Sequence, residues 1–136
     1  MSFTYKGDLR ASKTVDGVTH YYYYSGNNIV SEVWGDKSLT FLYDESGVYG
    51  FIYDDGTTET LYYYLKNLQG DVICLLDETL QPVVYYHYNA YGELISLYEI
   101  VDGTWDEISL RTVTDHIAFI NPLRYRSYYY DNDLKL

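Results

Sequence analysis

Three histidines, His20, His87 and His116, and one cysteine, Cys74, are the residues of this 136-residue sequence best suited to hold a metal. A zinc half-site needs two such ligands a few residues apart on one element. No pair has that spacing, so no metal is expected. His87 lies between Tyr86 and Tyr88 and on a strand faces away from both, towards solvent. Cys74 sits in an apolar run and reads as a small hydrophobe, with no second cysteine for an intrachain disulfide. Nucleophilic catalysis lacks a G-x-S-x-G elbow, and Ser25-Gly26 and Ser46-Gly47 read as turns. Paired carboxylates could hydrolyse a glycoside across a cleft. Asp54-Asp55 and Asp106-Glu107 are adjacent pairs, and neighbours on a strand face opposite sides. No calcium-loop spacing occurs. The chain therefore reads as a non-enzyme with no catalytic residues and no cofactor. The remaining chemistry is aromatic. Trp34, Trp105 and the tyrosine clusters could stack on sugar rings, which makes a carbohydrate- or cell-wall-binding β module the alternative function. Rings at period two on successive hairpins read first as a packing stripe.

The elements that carry these residues recur. Aromatic triplets stand at Phe3-Thr4-Tyr5, Tyr22-Tyr23-Tyr24, Phe41-Leu42-Tyr43, Tyr62-Tyr63-Tyr64 and Tyr86-His87-Tyr88. Their last members, Tyr5, Tyr24, Tyr43, Tyr64 and Tyr88, return about every 20 residues, a period that signals stacked supersecondary units. A glycine follows each: Gly7, Gly26, Gly47, Gly70 and Gly92. Between triplets lie second strands, at Ile29–Trp34, Val48–Tyr53, Val72–Leu76 and Leu94–Val101. Further turns are marked by Asp16-Gly17, Gly35-Asp36, Asp55-Gly56 and Asp102-Gly103. Each repeat is one hairpin, marginal alone and stable only beside a neighbour. The fold class is all-β: an antiparallel hairpin array forming a curved or spiralling sheet, with at most one short helical turn. A strand is expected near Glu107–Val113. Asp115 is then expected to cap a short helical turn through Ala118, stopped by Asn121-Pro122.

One stretch, Leu61 to Glu93, organises the chain. It contains Tyr62-Tyr63-Tyr64, Asn67-Leu68-Gln69-Gly70-Asp71, Asp77, Val83-Val84, Tyr86 and Tyr88-Asn89-Ala90-Tyr91-Gly92-Glu93. A second block runs Asn121-Pro122-Leu123-Arg124-Tyr125-Arg126-Ser127-Tyr128-Tyr129-Tyr130-Asp131. Together, in this order, they resemble the conserved core of the Rhs, or YD-repeat, proteins. The motif positions are Gly70, Asp77, Tyr91, Gly92, Asn121, Pro122, Arg124, Tyr125, Arg126, Tyr130 and Asp131. The resemblance implies YD-like repeats over residues 1–60 and an Rhs-core-like segment over residues 61–136, continuous in one structural domain. Rhs-like proteins are large secreted or surface bacterial proteins, polymorphic toxins among them, whose repeats coil into a β-shell around a variable C-terminal toxin. The resemblance thus implies a structural scaffold: a piece of shell and core whose partners are the rest of a larger protein or a toxin domain. After Asp131 the sequence departs from the family's pattern, and the carboxylates of the family's autoproteolytic site map onto no residue here. The core is expected to be truncated.

Composition fits that reading. Of 24 phenylalanine and tyrosine residues, 20 are tyrosine, a ring suited to a half-buried sheet with its hydroxyl at a polar partner. Twenty acidic against nine basic residues give a net charge of −11, and most aspartates sit in turn contexts. So acidic a chain is not expected to bind nucleic acid, which needs Lys and Arg on its phosphates. No apolar run is long enough to span a membrane. Met1 to Lys6 precede no apolar segment, so no signal peptide is expected, and secretion or surface display would belong to a full-length parent. Open strand edges predict homo-oligomers.

Overall fold

The structure, a computed structural model, describes residues 2–6, 9–110 and 116–122. The chain is nearly all antiparallel β, with one four-residue helix among the described residues. Its contacts divide it into two units, Met1–Tyr62 and Tyr63–Leu136.

Unit one holds β1 (Ser2–Lys6), β2 (Leu9–Val15), β3 (Val18–Ser25), β4 (Asn28–Trp34), β5 (Lys37–Asp44) and β6 (Gly47–Asp54). Each strand pairs antiparallel with the next in sequence. The strand β7 (Glu59–Lys66) spans the division. Unit two continues with β8 (Val72–Leu76), β9 (Pro82–Tyr88), β10 (Leu94–Val101) and β11 (Thr104–Glu107), again paired in sequence order. The expected second strands lie within β4, β6, β8 and β10, and the aromatic triplets lie on β1, β3, β5, β7 and β9.

Two kinds of turn make this order local. Asp16-Gly17 and Asp102-Gly103 both have positive φ at both residues, 51° and 80°, then 50° and 79°. That is the tight turn whose twist matches the flanking strands. Unit two uses a wider loop three times: Asn67 to Asp71, Asp77 to Gln81 and Asn89 to Glu93. In each, the first residue's Oδ1 accepts the backbone N–H groups two and four residues on. In each, the fourth residue donates its N–H to the first residue's carbonyl and has positive φ. Gly70 and Gly92 take that conformation at 85° and 86°, whereas Leu80 takes it at 65° against the steric preference of a side chain. Leu80 is 61% exposed, so its ring of contacts is small. Leu80→Gly is therefore expected to raise stability by about 0.5–1 kcal/mol, read as a higher urea midpoint with an unchanged slope.

Every triplet strand meets a bulge on its partner. The registers skip Ala11, Val30 and Tyr49 in unit one, and Ile73 and Ile95 in unit two. Such an extra residue bends its strand and disrupts the ladder locally. The Tyr43 hydroxyl donates to the Ile29 carbonyl at 2.5 Å, and the Tyr88 hydroxyl to the Val72 carbonyl at 2.8 Å. Ile29 and Val72 immediately precede the extra residues Val30 and Ile73, so both tyrosines reach back to the bulge of the preceding hairpin. At Tyr43 and Tyr88 the last position of the triplet thus uses its hydroxyl, while the first position accepts a phenylalanine such as Phe41. Tyr43→Phe is expected to lower stability by about 1 kcal/mol, through a carbonyl left without its donor. Phe41→Leu at the same strand acts through packing instead, and a double change measures their independence.

The core of unit one is one face of the sheet, with Leu39 and Phe51 at 0% exposure and Tyr22, Phe41 and Val48 beside them. In unit two Leu75, Val84, Tyr86 and Leu97 are fully buried. Over that face lies α1 (Ile117–Ile120), with Ala118 and Phe119 buried. Sequence reasoning misplaces this end in two ways. The last strand among the described residues is Thr104–Glu107 rather than Glu107–Val113: Ile108 still donates to the Leu97 carbonyl, but residues 108–110 are not strand, and 111–113 lie outside the described residues. The turn at Asp102-Gly103 sets the strand start three residues earlier. The helix cap is His116, whose Nδ1 accepts from the Ala118 N–H at 3.1 Å. Asp115, the expected cap, lies outside the described residues. Asn121 ends the helix, its N–H bonded to the Ile117 carbonyl.

Candidate functional site

The most organised polar group in unit two is a buried chain of hydroxyls and an amide. Asn121, fully buried, accepts from the Tyr64 hydroxyl at 2.6 Å through Oδ1, and its Nδ2 donates to the Tyr86 hydroxyl at 3.2 Å. Tyr86 in turn donates to the Ala118 carbonyl at 2.6 Å. Successive triplets, on β7 and β9, thus hold one residue of the segment that follows the helix. Pro122 is buried next to it. At the other end of the helix His116 Nε2 stands 3.5 Å from a Glu99 carboxylate oxygen on β10. A short helix that could not persist alone is fixed at both ends by the sheet.

Unit one carries charge on its buried face. Lys13 and Glu32 are each 5% exposed. His20 lies directly opposite both Lys13 and Trp34, and Tyr22 opposite Glu32, so these side chains share one face. The His20 Nδ1 meets the Glu32 carboxylate at 2.6 Å. Its ring stacks on Trp34 at 5.0 Å, and Trp34 stacks on Tyr53 at 6.3 Å. The Arg10 guanidinium lies over the Phe3 ring at 4.3 Å and near Tyr22 at 6.0 Å. Burial raises the Tyr24 hydroxyl above its usual range; Arg10 pulls it down and Glu32 pushes it up, so both charges act at that hydroxyl. An imidazole on a carboxylate is half of a proton-transfer device. Here its ring is covered by Trp34, and Ser12 and Thr14 point to the opposite face of the sheet. The group locks β2, β3 and β4 together. The only prior sign of it in the sequence was polar residues alternating with aromatics on β2 to β4, a pattern that does not say which face is buried.

The other sequence candidates fall apart from one another. Asp54 and Asp55 each hold backbone N–H groups of the loop that follows β6, from Gly56, Thr57 and Thr58. Asp106 and Glu107 are exposed on β11 and paired with Glu99 and Tyr98 on opposite faces. His87 is exposed and lies 3.1 Å from the Ser96 hydroxyl. Among the described residues no group of three or more His, Cys, Asp and Glu side chains gathers for a metal. Trp34 is on the buried face of unit one. Trp105, 52% exposed, packs at 5.2 Å on Tyr85 and 5.8 Å on Tyr98 with rings tilted by 45° and 53°, a small cluster rather than a flat platform. A cleft of about 450 Å³ between the Asn67 and Asn89 loops is lined by Asp71, Ile73, His87 and Tyr88.

Of the repeat tyrosines, Tyr43 and Tyr88 hold bulges and Tyr64 holds Asn121. Tyr24 is half-buried, and Tyr5 is 62% exposed on β1. Of the motif positions, Gly70, Asp77 and Gly92 serve the three wide loops, and Tyr91 is 87% exposed at a loop tip. Arg124, Tyr125, Arg126, Tyr130 and Asp131 lie outside the described residues.

Burial pushes the Cys74 thiol up to about 11 and raises Tyr43 and Tyr62 as well as Tyr24. Folding favours the neutral form of each. Their contribution is whole below the thiol's ordinary value near 9 and is lost as pH rises through the folded values. Urea midpoints are therefore expected to be level up to about pH 9 and to fall above it. Cys74→Ala removes the thiol's part of the fall, which begins near pH 9, and leaves that of the tyrosines, which begins near pH 10.

No family model matches the chain. It is 33% identical over 96 residues to the tRNA nuclease WapA of Bacillus subtilis (strain 168), and 33% identical over 96 residues to the tRNA3(Ser)-specific nuclease WapA of Bacillus spizizenii. It is 34% identical over 94 residues to the tRNA(Glu)-specific nuclease WapA of Bacillus subtilis subsp. natto. Each match covers 65% of this chain and 4% of the relative's length. No helix among the described residues is long and apolar enough to cross a membrane. The similarity agrees in a general way with an Rhs-related family and singles out no domain within it, and it fits a chain that corresponds to a small part of a much larger protein.

Proposed function

We propose that this chain is a non-catalytic structural module: a length of hairpin wall and part of the core of a larger Rhs-type toxin protein, secreted or displayed at the surface. There it would help enclose and present a C-terminal toxin domain. The observation that carries the reading is a rung, made by Tyr43 and by Tyr88, from one hairpin to the one before it. Tyr43 and Tyr88 make the same contact at corresponding bulges, so hairpins can be added in sequence with the same joint. A fold of this kind builds a continuous surface from local pieces. The nuclease names of the relatives belong to proteins of which this match covers 4%, and they support a toxin context rather than an activity for these residues.

Two measurements test the proposal. Incubated with tRNA, the purified chain is expected to leave it intact. Cleavage that co-purifies with the chain and vanishes on a single carboxylate change ends the non-catalytic reading. Among the described residues β1 and β11 each pair on one side only, and unpaired edges invite another strand. Sedimentation is expected to show concentration-dependent self-association, reduced by a proline placed in β1 at Thr4. A strictly monomeric chain at millimolar concentration counts against an open wall segment.

A further inference from the structure

Three joints between hairpins are built alike, two in unit one and one in unit two. β2 pairs with β3 from Val15↔Val18 to Ser12↔Tyr21, β4 with β5 from Trp34↔Lys37 to Ser31↔Thr40, and β8 with β9 from Leu76↔Pro82 to Cys74↔Tyr85. Each ladder stops at the residue after a bulge, after Ala11, Val30 and Ile73 in turn. Beyond that point each strand keeps its partner within its own hairpin and has none across the joint. A bulge bends its strand, so the joint opens where the bend begins.

At two joints a tyrosine spans the open end. Tyr43 on β5 donates to the Ile29 carbonyl on β4, and Tyr88 on β9 to the Val72 carbonyl on β8. At the β2/β3 joint Tyr24 holds the same triplet position, and Arg10 is the residue just before the bulge. The Tyr24 hydroxyl makes no such bond among the described residues. Burial raises the hydroxyls of Tyr24 and Tyr43 alike, so each is partly cut off from water, but only Tyr43 has its acceptor. The Arg10 guanidinium is drawn over the Phe3 ring of β1, at 4.3 Å. A cleft of about 590 Å³ lies at this joint, lined by Leu9 and Ala11 on one side and Tyr22 and Tyr24 on the other. The cleft at the spanned β8/β9 joint is smaller, about 450 Å³.

We propose that the β2/β3 joint is the hinge of unit one, moving between the open position of this structure and a closed one in which the Tyr24 hydroxyl donates to the Arg10 carbonyl. A carbonyl oxygen has two lone pairs, so closure requires no vacancy at Arg10. The ladder from Ser12 to Val15 is the pivot, and the triplet end of the β1–β2 hairpin is the moving part. Closing returns an acceptor to a half-buried hydroxyl. One bond of this kind changes an equilibrium by about fivefold, enough to bias two positions without locking either. Tyr43 makes the next joint, β4/β5, a fixed one. The hinge lies within this chain and does not depend on the scaffold reading.

NMR relaxation dispersion on the intact chain tests this, since hinge motion falls in the microsecond-to-millisecond range. Exchange is expected at the amides of Leu9, Arg10 and Ala11 and of Tyr22 to Ser25. It is not expected at the corresponding amides of the β4/β5 joint, Asn28 to Val30 and Phe41 to Asp44. Tyr24→Phe removes only the bond of the closed position. It is expected to lower the closed population by about fivefold, weakening the dispersion while Tm stays within about 1 °C. Tyr43→Phe is expected to bring the same exchange to the β4/β5 joint. Flat dispersion at β2/β3 in the unaltered chain overturns the proposal. So does exchange of equal size at β4/β5, or exchange at β2/β3 that Tyr24→Phe leaves unchanged. A fall in Tm on Tyr24→Phe as large as that on Tyr43→Phe also overturns it, because Tyr24 would then be bonded already.

Discussion

Glu32→Ala is expected to lower stability by about 3 kcal/mol, one of the two largest single effects in this chain. The carboxylate is 5% exposed, holds the His20 Nδ1 at 2.6 Å, and shares its face with Lys13. Its loss leaves cations on a buried face with less compensating charge, and desolvation of those groups sets the cost. Replacing the pair together, as His20→Phe with Glu32→Leu, is expected to recover only the part of the loss that His20 carries, because Lys13 stays on the buried face. Urea unfolding of the single and double variants measures both values. An effect below about 1 kcal/mol for Glu32→Ala would mean that water reaches this face and that the contact behaves as a surface pair.

Asn121→Leu is expected to cost about 2–4 kcal/mol in unit two. The change keeps the volume and removes both polar atoms. The Tyr64 hydroxyl, donating at 2.6 Å, then loses its acceptor, and Tyr86 loses a donor while keeping the Ala118 carbonyl. Asn121 ties the segment 116–122 to both β7 and β9, so its amides should exchange with solvent faster before the strands do. Hydrogen exchange at Phe119, Ile120 and Asn121 against that at Leu75 and Leu97 reads this directly. Tyr64→Phe combined with Asn121→Leu should be less than additive, because the two changes delete one bond. Additive effects would place the role of Asn121 in packing alone.

The hairpin order could be read before any coordinates. Triplets such as Tyr22-Tyr23-Tyr24 and glycines such as Gly26 act through neighbours in sequence, and tight turns fix which strand pairs with which. The separation of Asp106 and Glu107 onto opposite faces was equally legible, since period two divides adjacent strand residues. The last strand and the helix were read poorly. Whether Thr104–Glu107 or Glu107–Val113 pairs with β10 depends on where the Asp102-Gly103 turn sets the register. That His116 caps the helix depends on its backbone geometry there.

The alternation of strand and turn and the return of the aromatic triplets were legible from the residues alone, because both follow from chain geometry over a few positions. Only the tertiary structure decided which face of unit one is buried, and so that Lys13, His20 and Glu32 meet beneath it while Tyr21 and Tyr23 stand in solvent. Alternation divides a strand's side chains into two sets but does not choose between them. That choice comes from the bulges and from packing across hairpins, which in unit two brings Asn121 back to Tyr64 across 57 residues of chain.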